Sequence, residues 1–383
     1  MREIGIGLLG VGWMGEVHAT SYRRAAVHFP EWEGRARLVI AADEVEARAR
    51  LAVERLGFEA WTTDWREVIA HPEVEAVSIT SPNFMHREMA LAAAAAGKHF
   101  WGEKPLGRSP AETLEIAAAA EGVRTIVGFN YRHAPAVRHA RGLIASSALG
   151  HPQHFRTQWV AGFSKNPQGA LSWRFSRELA GSGVLADLMS HAVDLARFLL
   201  GPIVRVTSTA DTLIRQRPRP APGVGTHFTV IEGGELGDVE NEDWVAALVE
   251  FESGLKGTME ASRVAVGPEA RYQFEVNGTE GAVAWNFERL NELEVHGPVV
   301  GGDTGYATVQ MGPTHPDFAR FQPGAGIGMG YDDLKVIEAA LFLRSVAEDV
   351  QLEPGVREIA AAARVLAAME RSWASGAWEA VED

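Results

Sequence analysis

A glycine-rich turn between a short apolar run and a helical stretch constrains the fold more than any other feature of the sequence. The run Ile4–Leu9 is followed by Gly10, Gly12 and Gly15 in the spacing G-x-G-x-x-G, and Glu16–Ala26 then has helical character. In such a turn the first glycine permits a tight bend, the second lets a pyrophosphate approach, and the third lets the helix pack closely on the strand. The free N–H groups at the helix start would face that anion. The turn therefore predicts a dinucleotide site.

Short apolar runs alternate with helical stretches over the first 130 residues. The later predicted strands are Arg37–Asp43, Val74–Thr80, Lys98–Glu103 and Arg124–Asn130, and the predicted helices between them are Val45–Leu56, His86–Ala96 and Pro110–Glu121. Such alternation is typical of a parallel sheet with helices on both faces. We therefore predict an N-terminal, doubly wound α/β domain over residues 1–130, with Trp13 and Met14 of the glycine turn in its cofactor site.

The pattern changes after Asn130, where a second domain is predicted over residues 131–383. The predicted helices of this half are Pro135–Ser147, Val184–Leu200, Tyr331–Asp349 and Gly355–Trp373. From Val204 onward, strand-like segments follow one another across Gly-containing turns, which favours an antiparallel sheet and an α+β domain. The Pro- and Gly-rich stretch 215–225 is predicted to be a surface loop.

Composition limits the possible partners. The formal net charge of −14 disfavours nonspecific binding to nucleic acid or to an anionic membrane surface. The chain has no cysteine, which excludes disulfides, thiolate nucleophiles and cysteine-ligated metals. No uncharged apolar run approaches the ~18 residues of a membrane span, and the N-terminus does not continue as a signal peptide. We expect a cytoplasmic protein with no nucleic-acid or membrane partner.

Polar side chains follow the second and third predicted strands. Asp43 at the end of the second strand can accept hydrogen bonds from a ribose diol and would repel a 2′-phosphate, so NAD is favoured over NADP. The residues that end the third strand or open the next helix are also predicted to contact the cofactor, namely Thr80, Pro82, Asn83 and His86. Helix capping by Asp43 or by the later polar residues is the alternative.

The fourth predicted strand ends on Glu103, Lys104 and Pro105. A lysine at the carboxyl edge of the sheet can hydrogen-bond a substrate hydroxyl and stabilise the alkoxide character that grows as hydride leaves carbon. Pro105 restricts Lys104 to an extended conformation, and the bond between them is a candidate for the cis form. The alternative is a solvated surface turn.

A partner for the lysine is found in the predicted helix Val184–Leu200. Asp187, His191 and Asp194 have the spacing i, i+4, i+7 and would share one stripe of that helix. An aspartate can orient the imidazole, and the histidine can then remove a hydroxyl proton. A solvated helix face and a divalent-metal site are the alternatives. The nearby lysine disfavours the metal, so none is assigned.

Taken together, these motifs resemble the Gfo/Idh/MocA oxidoreductase family, the glucose–fructose oxidoreductase and inositol dehydrogenase group. The resemblance covers nearly the whole chain and rests on residues 10–15, 80–86, 103–105, 128–136 and 180–195. It implies a Rossmann domain followed by a large, open, mostly antiparallel sheet flanked by helices. It also implies NAD(P)-linked hydride transfer at a secondary hydroxyl of a sugar, inositol or related polyol. Association into a homo-dimer or homo-tetramer through the C-terminal sheet is a further implication.

The resemblance also assigns roles to individual residues. The family's catalytic lysine, aspartate and histidine correspond to Lys104, Asp187 and His191, which would also contact the substrate. Glu103, Lys104 and Asn130 fall at the cofactor, and further substrate contacts are implied for Tyr131, Arg132, Trp173 and Arg174. Trp101 departs from the family pattern and is expected to narrow the site.

Two other functions remain open for such a chain. One is a glycosidase that holds NAD tightly and oxidises its sugar only transiently. The other is a non-catalytic NAD-binding sensor, which would be expected to lose the catalytic groups that this chain retains.

Overall fold

The protein is seen in a computed structural model that describes residues 2–221, 229–301 and 305–382. The described strands are β1 (Glu3–Leu9), β2 (Arg35–Ala42), β3 (Ala60–Thr62), β4 (Ala76–Ile79), β5 (His99–Gly102), β6 (Thr125–Val127), β7 (Pro152–Val160), β8 (Ile203–Asp211), β9 (Gln216–Pro218), β10 (Leu236–Asp238), β11 (Trp244–Phe251), β12 (Lys256–Ser262), β13 (Arg271–Gly278), β14 (Ala282–Asn286), β15 (Glu292–His296), β16 (Ala307–Gln310) and β17 (Glu379–Ala380).

The same ranges contain α-helices and several shorter turns. The α-helices are α1 (Trp13–His28), α2 (Glu46–Leu51), α3 (Trp65–Ala70), α4 (Asn83–Ala95), α5 (Pro110–Ala119), α6 (Pro135–Ala145), α7 (Arg177–Ala180), α8 (Ser190–Leu200), α9 (Phe318–Phe321), α10 (Tyr331–Ala347) and α11 (Val356–Ser375). The π-helical turns are Ala52–Leu56 and Leu185–Met189, and the 3-10 turns are Asn130–His133, Trp173–Phe175, Phe287–Arg289 and Pro298–Val300. None of the helices in these ranges combines the length and apolar character needed to cross a membrane.

The chain divides into two compact units, one of residues 1–133 and 329–360 and the other of residues 134–328 and 361–383. The predicted first domain ended at residue 130 and did not include the later segment. That segment joins the first unit because α10 packs there on α1 and the sheet, with residues 333–340 all buried, including the fully buried Lys335 and Glu338. The division into two folding domains at residue 130 remains a prediction.

The first unit is built on a six-stranded parallel sheet in the order β3-β2-β1-β4-β5-β6. Its central strands β1 and β4 are buried on both faces, which explains their nearly continuous apolar sequences. The order reverses between β1 and β4, and ligands of doubly wound sheets bind beside the carboxyl ends of strands at such a switch point. The predicted parallel α/β sheet is confirmed, although β3 and α3 were not predicted.

Local signals set the helix starts around this sheet. Asp64 caps α3, and Ser109 caps α5 by accepting a hydrogen bond from the Glu112 N–H at 3.2 Å. The Asp333 carboxylate accepts from the Gly330 N–H at 2.8 Å and so fixes the start of α10. The segment after α10 then runs beside β6, where the Val127 N–H donates to the Pro354 carbonyl at 2.8 Å.

The second unit is built on a nine-stranded sheet in the order β16-β15-β14-β13-β7-β12-β11-β8-β17. Every neighbouring pair is antiparallel except β7 and β12. Buried and accessible residues alternate along β11, so one face of the sheet is covered and the other is open. The helices α6 and α8 lie over the covered face. The predicted large, open, mostly antiparallel sheet is confirmed.

One part of the predicted loop 215–225 is not a loop. Residues Gln216–Pro218 form β9, which pairs with β10 in a separate two-stranded sheet, and the Arg217 side chain is completely buried. Its guanidinium donates to the main-chain carbonyls of Ser164 at 2.6 Å and Asn166 at 2.8 Å. These contacts pair two nitrogens of a buried guanidinium that the Pro-rich sequence alone does not reveal. Residues 222–225 of the predicted loop lie outside the described residues.

Candidate functional site

The crevice of the first unit lies where β1 and β4 end. Gly10 follows β1 and Thr80 follows β4, and the Thr80 N–H donates to the Leu9 carbonyl at 3.0 Å. The Thr80 hydroxyl donates to the Gly10 carbonyl at 2.7 Å. The predicted cofactor residues at these two strand ends are therefore brought together at the switch point of the sheet.

The three motif glycines have different surroundings. Gly10 has a φ of +102°, and a side chain there would meet the backbone of Ser81. A Cβ on Gly15 would lie 2.2 Å from the Gly10 carbonyl oxygen, so only glycine allows α1 to start this close to β1. A Cβ on Gly12 would meet nothing within 4 Å, which leaves the open space that a close-approaching pyrophosphate requires. Trp13 and Met14 begin α1 directly after this space, with the Trp13 ring largely exposed.

Asp43 is held in place at the end of β2. Its Oδ2 accepts from the Val11 N–H in the glycine turn at 2.9 Å, and its Oδ1 accepts from the Val45 N–H at 3.0 Å. The guanidinium of Arg48 lies 4.0 Å from Oδ1. The carboxylate thus closes a local turn at Val45 and ties it to the glycine turn, and each oxygen retains further acceptor capacity for a ribose diol.

His86 is buried between two loops of the crevice. Its Nδ1 lies 2.8 Å from the Pro105 carbonyl oxygen, and its Nε2 lies 2.6 Å from the Ser81 carbonyl oxygen. The ring therefore joins the loop after β4 to the loop after β5. Pro82 and Asn83 lie at the start of α4 in the same loop. A cofactor contact by His86, Pro82 or Asn83 stays a prediction.

Glu103 and Lys104 follow β5 at the same edge of the sheet. The Glu103 N–H donates to the Ile79 carbonyl at 2.9 Å, and the peptide bond between Lys104 and Pro105 is cis. The Glu103 carboxylate lies 2.6 Å from the Lys335 ammonium and 3.0 Å from His18 Nε2. Burial alone would raise the pKa of Glu103, but the Lys335 charge and the His18 contact hold this pKa well below its ordinary range.

The side chain of Trp101 is completely buried, so the expectation that it narrows the site is wrong. Its ring stacks on His18 with 3.4 Å between ring centroids and meets the edge of Tyr22. In a strand with one open face, alternate side chains would be exposed. Within this parallel sheet both faces of β5 are covered by helices, so its indole packs in the core.

The residues after β6 form a 3-10 turn with buried side chains. The Asn130 amide nitrogen Nδ2 is buried and has no hydrogen-bond partner among the described residues. Tyr131 meets the edge of the Tyr331 ring at 6.3 Å between centroids, and the Arg132 guanidinium lies 3.6 Å from the Glu353 carboxylate. Asn130 therefore offers a donor for a bound group, whereas Arg132 contacts an acid of its own unit.

Trp173 and Arg174 share a short turn in the second unit. The Arg174 guanidinium lies over the Trp173 ring at 4.6 Å, and the Arg174 carbonyl accepts from the Asn241 amide at 3.0 Å. Asn241 also donates to the Gly181 carbonyl at 3.2 Å. One buried amide thus ties the predicted substrate loop to the turn that precedes α8.

Asp187 and His191 lie on either side of the start of α8. Asp187 is half-buried in the π-helical turn, whereas His191 is buried in α8 and its carbonyl accepts from the Tyr272 hydroxyl at 2.6 Å. A π-helical turn has more residues per turn than an α-helix, so these two side chains do not follow the regular α-helical stripe that was predicted. Asp194 is buried as well, which excludes a solvated helix face.

A second buried acid supports that π-helical turn. The Glu242 carboxylate accepts from the Leu185 N–H at 3.0 Å, and burial raises the pKa of this carboxyl group. Its neighbour Asp243 pairs with Arg263 at 2.7 Å, and both side chains are almost inaccessible. The triplet 241–243 therefore holds the helix start that carries Asp187.

We did not predict functional positions at His18, Lys335 or the triplet 241–243 from the sequence. A lysine and a glutamate three residues apart inside the otherwise apolar stretch of α10 are the signal that could have indicated a buried ion pair. No comparable signal marks His18, because its partner Glu103 is 85 residues away in the sequence. The described residues contain no group of three or more His, Asp or Glu side chains arranged to hold a metal ion.

The parallel sheet, its switch point and the glycine turn define a dinucleotide-binding protein of the Rossmann class. The chain belongs to the Gfo/Idh/MocA family, since residues 4–131 match the NAD-binding Rossmann-fold oxidoreductase domain and residues 137–284 match the family's C-terminal domain. The predicted family, fold class, NAD cofactor and oxidoreductase class are thereby confirmed.

Similar proteins extend over the full chain. Levoglucosan dehydrogenase of Pseudarthrobacter phenanthrenivorans is 37% identical over 385 residues, which cover 99% of this chain and 98% of that protein. The NAD-dependent scyllo-inositol 2-dehydrogenase of Bacillus subtilis is 30% identical over 285 residues, 74% of this chain and 73% of that protein. Solved complexes of levoglucosan dehydrogenase with NADH and L-sorbose, or with NADH and levoglucosan, superpose with a TM-score of 0.93 at 34% identity and cover 100% of both chains.

The residues of the first unit fit NAD. The space above Gly12 and the N-terminus of α1 suit a pyrophosphate, Asp43 suits an unphosphorylated ribose, and the buried Asn130 amide supplies an unused donor. Which of the predicted side chains touch the cofactor, and whether Lys104, Asp187 and His191 act on one substrate, are proposals.

Proposed function

We propose that the protein is an NAD-dependent dehydrogenase that oxidises a secondary carbinol of a sugar, inositol or related polyol to a ketone, with reversible transfer of hydride. The observation that carries this proposal is Lys104 after the carboxyl end of β5, on the same edge of the parallel sheet as the glycine turn that follows β1 in an NAD-binding unit. The full-length similarity to levoglucosan dehydrogenase supports the substrate class, because its solved complexes contain NADH with levoglucosan or L-sorbose.

The proposed roles follow from the chemistry of three side chains. When bound in the first unit, NAD would supply the acceptor for the hydride that leaves the carbinol carbon. His191 removes the hydroxyl proton, Asp187 orients the imidazole, and the Lys104 ammonium donates a hydrogen bond to the oxygen as alkoxide character develops. The balanced reaction converts R₂CHOH and NAD⁺ into R₂C=O, NADH and H⁺.

A substrate panel tests the reaction class. Levoglucosan, inositols, aldoses and sugar acids are assayed for NADH formation at 340 nm, with NAD and NADP in parallel. Lys104→Ala and His191→Ala are each expected to lower kcat at least about a hundredfold, because a positioned base contributes ~10²–10⁴-fold and one preorganised donor about 3–4 kcal/mol. NADH binding, measured by fluorescence, serves as the control and should persist in both variants.

Two outcomes would contradict the proposal. Wild-type turnover in either variant would remove that residue from the catalytic machinery. Hydrolysis of a synthetic glycoside without net NADH would instead indicate a glycosidase that oxidises its sugar transiently.

We also propose that the open face of the nine-stranded sheet joins copies of the chain into a dimer or tetramer. This face carries a groove of about 630 Å³, lined by residues that include Thr207, Trp244, Thr258 and Gln273. Leu248 lies in the same groove and is 48% exposed, so it offers apolar area that a second copy of the chain would cover. Light scattering should show an oligomer that Leu248→Lys dissociates, and a monomeric wild-type protein would refute this assembly.

The proposed compartment is the cytoplasm, which supplies the NAD that the proposed reaction consumes. Fractionation of cells that produce the native protein tests this location. Recovery in an extracytoplasmic fraction would contradict it.

A further inference from the structure

We propose that Lys335 is a positioning residue that fixes the main chain at Lys104 through the carboxylate of Glu103. The inference rests on the proposed function, because it takes Lys104 as the residue that stabilises the developing alkoxide. Lys335 belongs to α10 and lies 232 residues from Glu103 in the sequence. Both residues belong to the first compact unit.

The Glu103 carboxylate is enclosed where β5 and β6 end. The Gly128 N–H donates to the Gly102 carbonyl at 3.0 Å, which aligns the two strand ends. A Cβ on Gly128 would lie 2.7 Å from Glu103 Oε2, so only glycine leaves room for the carboxylate here. Glu103 therefore points into a space of fixed size rather than into solvent.

Lys335 balances the charge of this carboxylate. Its ammonium lies 2.6 Å from Glu103 and 2.9 Å from Glu338, and the lysine side chain is completely buried. Despite burial, which alone would lower it, the pKa of Lys335 is raised by these two carboxylates, so the lysine remains charged. The ion pair to Glu103 is the one that reaches the chain segment carrying Lys104.

His18 adds a neutral contact to Oε1 of Glu103, the same carboxylate oxygen that the Lys335 ammonium contacts. Burial lowers the pKa of His18 to about 4, so its ring is uncharged near neutral pH. With Nε2 3.0 Å from the carboxylate, the ring donates there, and Nδ1 is left to accept from the Ser78 hydroxyl at 3.1 Å. Ser78 in turn accepts from the Tyr22 hydroxyl at 2.8 Å. This chain orients the carboxylate but does not neutralise it.

Loss of the Lys335 ammonium would leave Glu103 buried without its cation. A buried carboxylate in that position must take up a proton or move toward water. Either change alters the carboxylate anchor of the residue directly before Lys104, and a displacement of about 1 Å at a reacting group can lower a rate by ~10²-fold. Lys335 is therefore expected to act on catalysis without touching substrate or cofactor.

Lys335→Met and Glu338→Gln form a matched pair of variants. Both remove the same buried ion pair between Lys335 and Glu338, but only Lys335→Met also removes the pair to Glu103. We expect Lys335→Met to lower kcat about tenfold to a hundredfold while the NADH Kd stays within about threefold. Amide hydrogen exchange of a peptide covering residues 99–108 should become faster in this variant only. Glu338→Gln should lose a comparable amount of thermal stability with kcat and local exchange near wild type.

A second variant tests the route through Glu103. Glu103→Gln removes the charge that Lys335 balances, and it should lower kcat to a similar extent. The combined variant should then be no slower than either single one, because the two side chains act as one unit. Additive losses would overturn the proposed route, and so would equal losses of kcat in Lys335→Met and Glu338→Gln.

The exchange measurement does not depend on dehydrogenase activity. Faster exchange at residues 99–108 in Lys335→Met, together with a wild-type protein that oxidises no polyol, would overturn the proposed function and leave the positioning role intact. Unchanged exchange and unchanged kcat in Lys335→Met would overturn the positioning role alone. Lys335→Gln, which keeps a hydrogen-bond donor, replaces Lys335→Met if the latter does not fold.

Discussion

Replacement of Gly12 by alanine separates cofactor binding from stability. Gly12 lies at the N-cap of α1 with φ −91° and ψ −168°, a backbone conformation that alanine adopts without strain. A Cβ there would meet nothing within 4 Å. A Cβ on Gly15 would instead lie 2.2 Å from a carbonyl oxygen of the same turn. The two substitutions therefore differ in what they disturb, although both add one methyl group to the same motif.

The expected changes follow from this geometry. Alanine is a poorer N-cap than glycine by up to about 1 kcal/mol, and it stabilises by about 0.4–1 kcal/mol through the unfolded state. The free energy of unfolding of Gly12→Ala should therefore change by less than about 1 kcal/mol, or about 4 °C in Tm. A methyl group in the approach of the pyrophosphate would break at least one charge-assisted hydrogen bond, which costs about 1.5–3 kcal/mol. The Kd for NADH should rise about 10- to 150-fold.

Fluorescence titration with NADH and thermal unfolding measure the two quantities on the same samples. Gly15→Ala should lose both stability and binding. Gly142→Ala is the matched control, because a Cβ on this glycine of α6 also meets nothing within 4 Å. It should bind NADH as wild type does and gain about 0.5–1 kcal/mol in stability. An NADH Kd for Gly12→Ala within about threefold of wild type would refute the assignment of this space to the pyrophosphate.

Three further changes have defined expectations. His18 has a pKa of about 4 in the folded protein and 6.5 in the unfolded chain, so the unfolded state binds more protons between these pH values. The free energy of unfolding should therefore fall by about 3 kcal/mol as pH drops from 6.5 to 4. Urea titrations at pH 6.5 and 4.5 should show a weaker pH dependence in His18→Asn, and an unchanged dependence would contradict this expectation. Arg263→Met should lower the free energy of unfolding by about 3–5 kcal/mol, because it leaves the buried Asp243 carboxylate without its cation. Arg50→Ala, at the exposed pair with Glu46, should lower it by less than about 0.5 kcal/mol. Equal shifts in Tm would refute the distinction. Asp43→Ala should lower the ratio of kcat/KM for NAD over NADP by about tenfold, since a repulsive carboxylate and two ribose acceptors are lost, and an unchanged ratio would count against the ribose role.

Local sequence patterns were sufficient for most of the fold. The glycine turn, the alternating apolar runs and the capping residues such as Ser109 act within a few residues, so they are legible without tertiary contacts. The strand β3 and the helix α3 were missed because segments of three and six residues are too short to show a periodic pattern. The stretch 215–225 was misread because proline and glycine dominate it, while the burial of Arg217 depends on carbonyls about 50 residues away.

The candidate site was predictable to a smaller extent. Residues at strand ends, such as Asp43 and Thr80, follow from the geometry of parallel sheets. Trp101 and Lys335 do not, because the burial of the first and the ion pair of the second are set by which helices cover β5. The π-helical turn at Asp187 is likewise invisible to a 3.6-residue pattern. Long-range packing therefore determined the parts that sequence reasoning missed.

Isotope transfer tests the proposed reaction most directly. The polyol of the panel that is oxidised fastest is prepared with deuterium on all its ring carbons, and the NADH formed by the wild-type protein is analysed by mass spectrometry. Direct hydride transfer predicts one deuterium in each molecule of NADH, and Lys104→Ala should form the same labelled product at least about a hundredfold more slowly. NADH without deuterium, or no NADH from any polyol of the panel, would contradict the proposed dehydrogenase.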